Sequence, residues 1–260
     1  MECLDTGGPL RAEVLNGGSF WRLVLDAPKG NILDASMVGA LRRMFDKAAE
    51  TPDLKGIIIE GEGDHFSFGA SVEEHLPEQV GDMLAGFHGM FRSALACAVP
   101  LLAVVRGQCL GGGLEVAAFC HRVFAAPDAR LGQPEIVLGV FAPVASLILT
   151  ERAGRSRAED LCISGRIVDA QEALAAGIID EVHEDPGAAA LAYARHNLLP
   201  RSASSLRFAV RAVRQEFSER FFERIAALEK LYLEELMATH DAREGLQAFL
   251  EKRKPVWRNS

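Results

Sequence analysis

Gly107-Gln108-Cys109-Leu110-Gly111-Gly112-Gly113-Leu114-Glu115-Val116-Ala117-Ala118 is the stretch on which the reading of this chain turns. Three consecutive glycines stand between an apolar run, Leu101 to Val105, and a helical pattern. Without side chains they let a ligand approach bare backbone. The helix that follows begins with unpaired N–H groups and the positive end of its dipole, so negative charge is stabilised there. Glu115 falls in its first turn. A tight strand-to-helix turn with a favourable first-turn acid would read the same way. No Lys-Ser or Lys-Thr follows the glycines, which excludes a Walker loop, and the spacing does not fit the dinucleotide fingerprint.

Upstream, strands and helices alternate. Phe20 to Asp26 reads as a strand with Trp21, Leu23 and Leu25 on one face, broken by Pro28-Lys29-Gly30. Asp34 is the expected N-cap of a helix to Ala49, with Met37, Leu41, Met44 and Phe45 at helical spacing. Leu54 to Glu60 carries three isoleucines and reads as a buried strand, and a helix is expected from about Glu78 to Cys97. After the glycines a short helix leads to a strand over His121 to Ala125. This alternation predicts an α/β fold with mainly parallel pairing. From Ala188 onward nearly everything is helix-compatible, so the expected division is an α/β body over 1–187 and a helical C-terminal section over 188–260. In that section Phe221, Ile225, Leu228, Tyr232 and Leu236 form a stripe suited to a core or to a subunit contact.

Composition narrows the class. The 260 residues carry a net charge of -8, which disfavours nucleic acid and anionic membrane as partners. The nearest basic cluster, Arg207, Arg211 and Arg214, does not make the lysine-rich face that RNA binding needs. Five cysteines, at 3, 97, 109, 120 and 162, form no C-x-x-C pair and no zinc-ligand spacing, so neither a disulfide framework nor a metal site is expected. No basic-then-apolar leader and no 18-residue apolar run occurs, and the expectation is a cytoplasmic protein.

Two further segments combine turns with polar groups. In Leu131-Gly132-Gln133-Pro134-Glu135-Ile136 a carboxylate sits among apolar residues, where ionisation is costly and its pKa should rise. That suits a group handling protons near neutral pH, with an N-terminal helix charge or a surface-loop acid as the alternative. Glu115 and Glu135 lie 20 residues apart, so any meeting must be tertiary. His65-Phe66-Ser67-Phe68-Gly69-Ala70-Ser71-Val72 follows a strand and a turn, and its small residues can expose a backbone N–H. His65, His75 and His88 are read as surface or packing residues.

Taken together, Pro28 to Leu33, Phe66 to Val72, Gly107 to Glu115, Leu131 to Gly139, Ser164-Gly165-Arg166 and the ending Glu244-Gly245 to Pro255 resemble the enoyl-CoA hydratase/isomerase (crotonase) superfamily over essentially the full length. The resemblance implies a ββα spiral core, a coenzyme A thioester as substrate with no separate cofactor, and homotrimers or homohexamers. It implies an oxyanion hole from the N–H groups of Phe68 and Gly112, with Glu115 and Glu135 holding and activating water. It puts Lys29, Ala70 and Val72 near the coenzyme, with Phe249 and Lys252 as weaker candidates. Keeping both glutamates favours hydration over isomerisation. Two departures border the acyl site. Gly139-Val140-Phe141-Ala142-Pro143-Val144-Ala145-Ser146 replaces a glycine-rich stretch, and Ser71 stands where an acid is usual. These variants resemble those of family hydratases that act on a cyclic dienoyl thioester in anaerobic aromatic degradation. Hydration of another cyclic or linear enoyl thioester, or double-bond isomerisation, is the alternative.

Overall fold

The computed structural model describes residues 3–260. Seven strands form the main sheet, in the spatial order β1 (Cys3–Leu4), β2 (Leu10–Leu15), β3 (Phe20–Leu25), β4 (Gly56–Gly61), β5 (Leu101–Val105), β7 (Arg122–Ala125) and β10 (Glu181–Val182). The first three are antiparallel, and pairing from β3 through β10 is parallel. Three helices make the crossovers from β3 to β7: α1 (Ala35–Ala49), α2 (Val80–Cys97) and α3 (Gly112–Phe119). The α1 boundary follows its chemistry, because the Asp34 side chain accepts from Met37 N at 2.8 Å and satisfies an otherwise unpaired donor.

Both faces of the sheet are buried, as parallel sheets require. Trp21, Leu23 and Leu25 pack into the large core with α1, α2 and α3. Phe20, the first residue of β3, belongs to a second cluster with Ile58, Leu102, Val104 and Phe124. That cluster is covered by Ala190 of α7 (Pro186–Tyr193) and by Ala194.

A second sheet of three short strands positions the site. β6 (Gln108–Leu110) pairs in parallel with β8 (Arg130–Gly132), which pairs antiparallel with β9 (Ile167–Asp169). Leu110 lies opposite Gly132, so the glycine turn and the Gln133–Glu135 segment leave adjacent strands side by side. Gly111 N donates to Gly132 O at 2.9 Å. On the other flank Ser67 bridges Cys109, and Leu110 N donates to Ser67 O at 3.0 Å. Three segments far apart in sequence therefore converge on one three-residue strand.

The remaining helices are α4 (Pro143–Arg152), α5 (Arg155–Ser164), α6 (Ala170–Ala175), α8 (Ala203–Lys230) and α9 (His240–Leu250). The C-terminal stripe packs inward. Phe221 and Ile225 join the large core, and Tyr232 joins a smaller cluster with Val80, Leu84, Val140 and Leu246. Beyond α8 the helix continues as a π turn, Leu231–Glu235. Among the described residues no helix is long and apolar enough to cross a membrane, and no group of three or more His, Cys, Asp or Glu is arranged to hold a metal ion.

Candidate active site

The site begins with a clamp made by Asn31. Its Nδ2 donates to the carbonyls of Glu62, His65 and Phe66 at 3.0, 2.9 and 3.2 Å, and its Oδ1 accepts from Ala27 N at 3.1 Å. Ser67 Oγ donates to Asn31 O at 2.7 Å and accepts from Gly69 N at 3.0 Å. These bonds fix the loop over Phe66 to Val72. Within it, Phe68 N donates to Gly30 O at 2.8 Å. That N–H is committed, so the assignment of Phe68 as an oxyanion donor is corrected. The Phe68 ring lies against the bare Cα of Gly30, where an added Cβ would come within 1.9 Å of the ring. Room for an aromatic side chain at position 68 thus depends on the glycine at position 30.

The uncommitted donor of this loop is the next but one, Ala70 N–H. Among the described residues it donates to no backbone or side-chain acceptor, and neither does Gly112 N–H at the start of α3. The two loops cross closely. A Cβ built on Gly112 would stand 3.2 Å from Ala70 N, and one built on Gly69 would stand 3.3 Å from Gly112 N. Two unpaired backbone donors are held together at a helix N-terminus, which is the arrangement that stabilises a developing oxyanion.

The two carboxylates meet beside them. Glu115 is buried, and its Oε1 accepts from Ala145 N of α4 at 2.6 Å. Glu135 rides on a 3-10 turn, Pro134–Leu138, immediately after β8. Gly111 has φ 52 and ψ -127, a region that glycine alone adopts readily, and a Cβ there would lie 2.6 Å from Glu135 Oε1. The glycine therefore leaves space for the carboxylate. Gln133, also buried, turns its amide nitrogen to the carbonyls of Gly111 and Gly132 at 3.0 and 3.2 Å, stitching the two segments. Burial raises the pKa of Glu115, the negative Glu135 raises it further, and the Ala145 and Val144 N–H groups partly offset this. Burial likewise raises Glu135. Part of Glu135 reaches the surface, but its Oε2 is sealed from solvent and has no partner. Two like charges in one apolar site cannot both form cheaply, so the pair holds a proton near neutral pH.

Both glutamates line a cavity of about 580 Å³. Ala70, Val72 and Gly112 also line it, as do the side chain of Phe68 and the half-exposed Phe249 at the end of α9. Lys29 and Lys252 do not: each is exposed, with φ 68 and 55, on loops outside the wall. Val140, Phe141, Ala142 and Pro143 supply one side of the cavity, so the segment that departs from the glycine-rich pattern does border the site.

The sequence pattern of the enoyl-CoA hydratase/isomerase family matches residues 18–260. The chain belongs to the enoyl-CoA hydratase/isomerase family. It is 51% identical over 255 residues to a cyclohexa-1,5-dienecarbonyl-CoA hydratase of Thauera aromatica, covering 98% of this chain and 99% of the relative. A probable enoyl-CoA hydratase of Mycobacterium tuberculosis is 33% identical over 237 residues, 90% of this chain and 92% of that one. The crystal structure of an enoyl-CoA hydratase/isomerase from Pseudoalteromonas atlantica superposes with a TM-score of 0.82 at 26% identity, covering 96% and 99% of the two chains.

As a member of this family the chain carries polar residues in its cavity that sequence patterns did not single out. His75 and His88, read as surface or packing residues, both line it. His75 Nδ1 donates to Ser71 O at 2.7 Å, and His88 Nδ1 lies 2.5 Å from Glu229 of α8. Burial lowers the pKa of both rings. Tyr232, read as one member of a core or subunit-contact stripe, reaches the same cavity with a buried, unpartnered hydroxyl. A signal was present: it is the one stripe member with a polar tip.

Proposed function

We propose that this protein adds water to a cyclic conjugated dienoyl thioester of coenzyme A, converting cyclohexa-1,5-diene-1-carbonyl-CoA to 6-hydroxycyclohex-1-ene-1-carbonyl-CoA. The observation that carries the reaction type is the meeting of Glu115 and Glu135 in one buried cavity, next to two free backbone donors. The acyl group rests on likeness to the Thauera aromatica hydratase and on the Val140–Ser146 segment beside the cavity.

In this reading the thioester oxygen accepts from Ala70 N–H and Gly112 N–H. Each donor is worth roughly 10²–10³ in rate by comparison with other oxyanion holes. Glu115 takes a proton from water as its oxygen attacks the β carbon, and the electron pair moves toward the thioester and through the second double bond. Glu135 gives a proton to the far ring carbon, so that water adds across the ends of the diene and a conjugated double bond remains. The pair exchanges roles in the reverse direction, since reversible hydration uses the same groups both ways. No cofactor besides the substrate's own coenzyme A is required. In the same reading Val72 and Phe249, both in the cavity wall, contact the coenzyme, and the exposed Lys29 and Lys252 attract it from outside the wall. Assembly as a trimer or hexamer in the cytoplasm completes the reading, supported by the exposed apolar side chains Phe208, Val213, Phe222 and Leu233 on and after α8.

The test offers purified protein cyclohexa-1,5-diene-1-carbonyl-CoA and crotonyl-CoA side by side, following ultraviolet absorbance and product mass. Fast hydration of the cyclic diene with little reaction of crotonyl-CoA is expected. The reverse preference overturns the acyl group and leaves the two glutamates standing.

A further inference from the structure

Six buried side-chain polar atoms among the described residues lack a hydrogen-bond partner, and three of them belong to residues that line this one cavity: His88 Nε2, Glu135 Oε2 and Tyr232 Oη. A sealed donor or acceptor without a partner costs about 1–3 kcal/mol, so three around one cavity call for an explanation in terms of function. Two of the three are complementary. A phenolic hydroxyl donates and a carboxylate oxygen accepts.

The backbone under Tyr232 is also unusual. α8 runs regularly to Lys230 and then widens into the π turn Leu231–Glu235, which carries Tyr232. π turns inside long helices are rare and occur often at functional sites, because the extra residue re-aims a side chain. Here the re-aimed side chain is almost fully buried, packed on Phe141 with ring centroids 5.2 Å apart. The hydroxyl is further electrostatically aware of the site: after burial, the largest influence raising its pKa is the charge on Glu135, followed by Glu115.

We propose that Tyr232 is the positioning residue of Glu135, its hydroxyl donating to Oε2, directly or through one water, when substrate occupies the cavity. The bond supplies each group with the partner it lacks, orients the carboxyl toward the acyl group and steadies its charged form once the proton has left. His88 does not compete for this role. With its Nδ1–H facing Glu229, its Nε2 is an acceptor and cannot serve another acceptor. The other titratable groups around Glu135 are Glu115 on α3 and Cys162 on α5, whose thiol is raised by burial and by both glutamates, with His75 across the cavity.

The inference rests on Glu135 moving a proton, and the experiment separates the two claims. Tyr232→Phe keeps the ring on Phe141 and removes only the hydroxyl. Turnover and its pH profile are measured for wild type, Tyr232→Phe and Glu135→Gln with whichever enoyl thioester the wild type hydrates. The protonated carboxyl band of Glu135, assigned by its loss in Glu135→Gln, is followed by infrared titration in all three with a saturated, unreactive thioester of coenzyme A bound, the state in which the Tyr232 bond forms. Expected for Tyr232→Phe are a kcat at least tenfold lower, a KM within threefold and a Glu135 titration displaced to higher pH. Its melting temperature should be no lower than that of wild type, because no made bond of the free enzyme is lost. Unchanged kcat and titration alongside an inactive Glu135→Gln overturn the role of Tyr232 alone. So does a loss of activity accompanied by a fall in melting temperature and an unmoved titration, which marks plain packing. An active Glu135→Gln overturns both claims.

Discussion

Glu115 and Glu135 can be argued one at a time because their surroundings differ. Glu115 is anchored by the Ala145 N–H, whereas Glu135 Oε2 has no partner. Replacing either by Gln keeps size and hydrogen-bonding reach but removes proton transfer. The expected loss in kcat is about 10²–10⁴, with KM for the thioester little changed, checked by steady-state kinetics on both variants. An equal loss in binding and turnover would contradict the assigned roles. The same residues set a pH dependence of stability whose sign follows from their raised pKa values. Below the ordinary carboxylate range both folded and unfolded chains hold these protons, and no penalty arises. As pH rises the unfolded chain releases them first, so unfolding is favoured increasingly until the folded-state groups also ionise. Gln does not titrate. Melting curves from pH 5 to pH 9 should therefore show Glu135→Gln gaining on wild type as pH increases.

At the scale of elements, local signals were legible and long-range pairing was not. Asp34 announces the start of α1 because capping is local chemistry, and Leu101–Val105 announces a buried strand by composition. The meeting of the two glutamates depends on the register of two three-residue strands, Gln108–Leu110 and Arg130–Gly132. Such short strands leave no periodicity to read. The oxyanion donor was misplaced for a related reason. Which N–H in Phe68-Gly69-Ala70 is free is decided by a distant carbonyl, that of Gly30, which takes Phe68's. The glycine turn gives a sharp test of this geometry. In Gly111→Ala the new methyl group would press on Glu135 Oε1 from 2.6 Å, at a φ of 52. Strain of about 1–3 kcal/mol is expected in the melting curve. A larger proportional loss is expected in kcat, since displacement of Glu135 by a fraction of an ångström spoils a proton transfer. Normal kcat with lowered stability would show that the close approach is structural only.

For the whole molecule the open matter is how a cavity between two loops comes to be closed by a helix a hundred residues further on. The sequence marks residues 188–260 as helical but does not say where they dock, because an amphipathic stripe names its buried face and not its partner. Arg207 provides the answer near the start of α8. Its Nη1 donates to Cys97 O at 2.6 Å, and its Nη2 donates to Ala48 O and Thr51 O at 2.9 and 2.6 Å. These carbonyls lie at or just beyond the C-terminal ends of α1 and α2, where the dipoles are negative and the carbonyl oxygens have acceptor capacity to spare. One guanidinium thus joins three helices, and at the far end of α8 His88 and Glu229 make a second tie to α2. Between and beyond them Phe221, Ile225 and Tyr232 are pressed into the chain's own core and cavity. Arg207→Ala removes three charge-assisted bonds and leaves Cys97 O unpaired, while Ala48 O and Thr51 O keep the N–H groups of Thr51 and Leu54, a cost of about 3 kcal/mol. For a chain of this size that corresponds to a fall of roughly 6–12 °C in melting temperature. If the docking of α8 is what holds Tyr232 against the site, the folded fraction of Arg207→Ala should also hydrate more slowly at temperatures well below its transition. Arg207→Lys, which restores the charge and a donor, should recover part of both losses. Full specific activity in Arg207→Ala at low temperature would show that the acyl wall stands without this anchor.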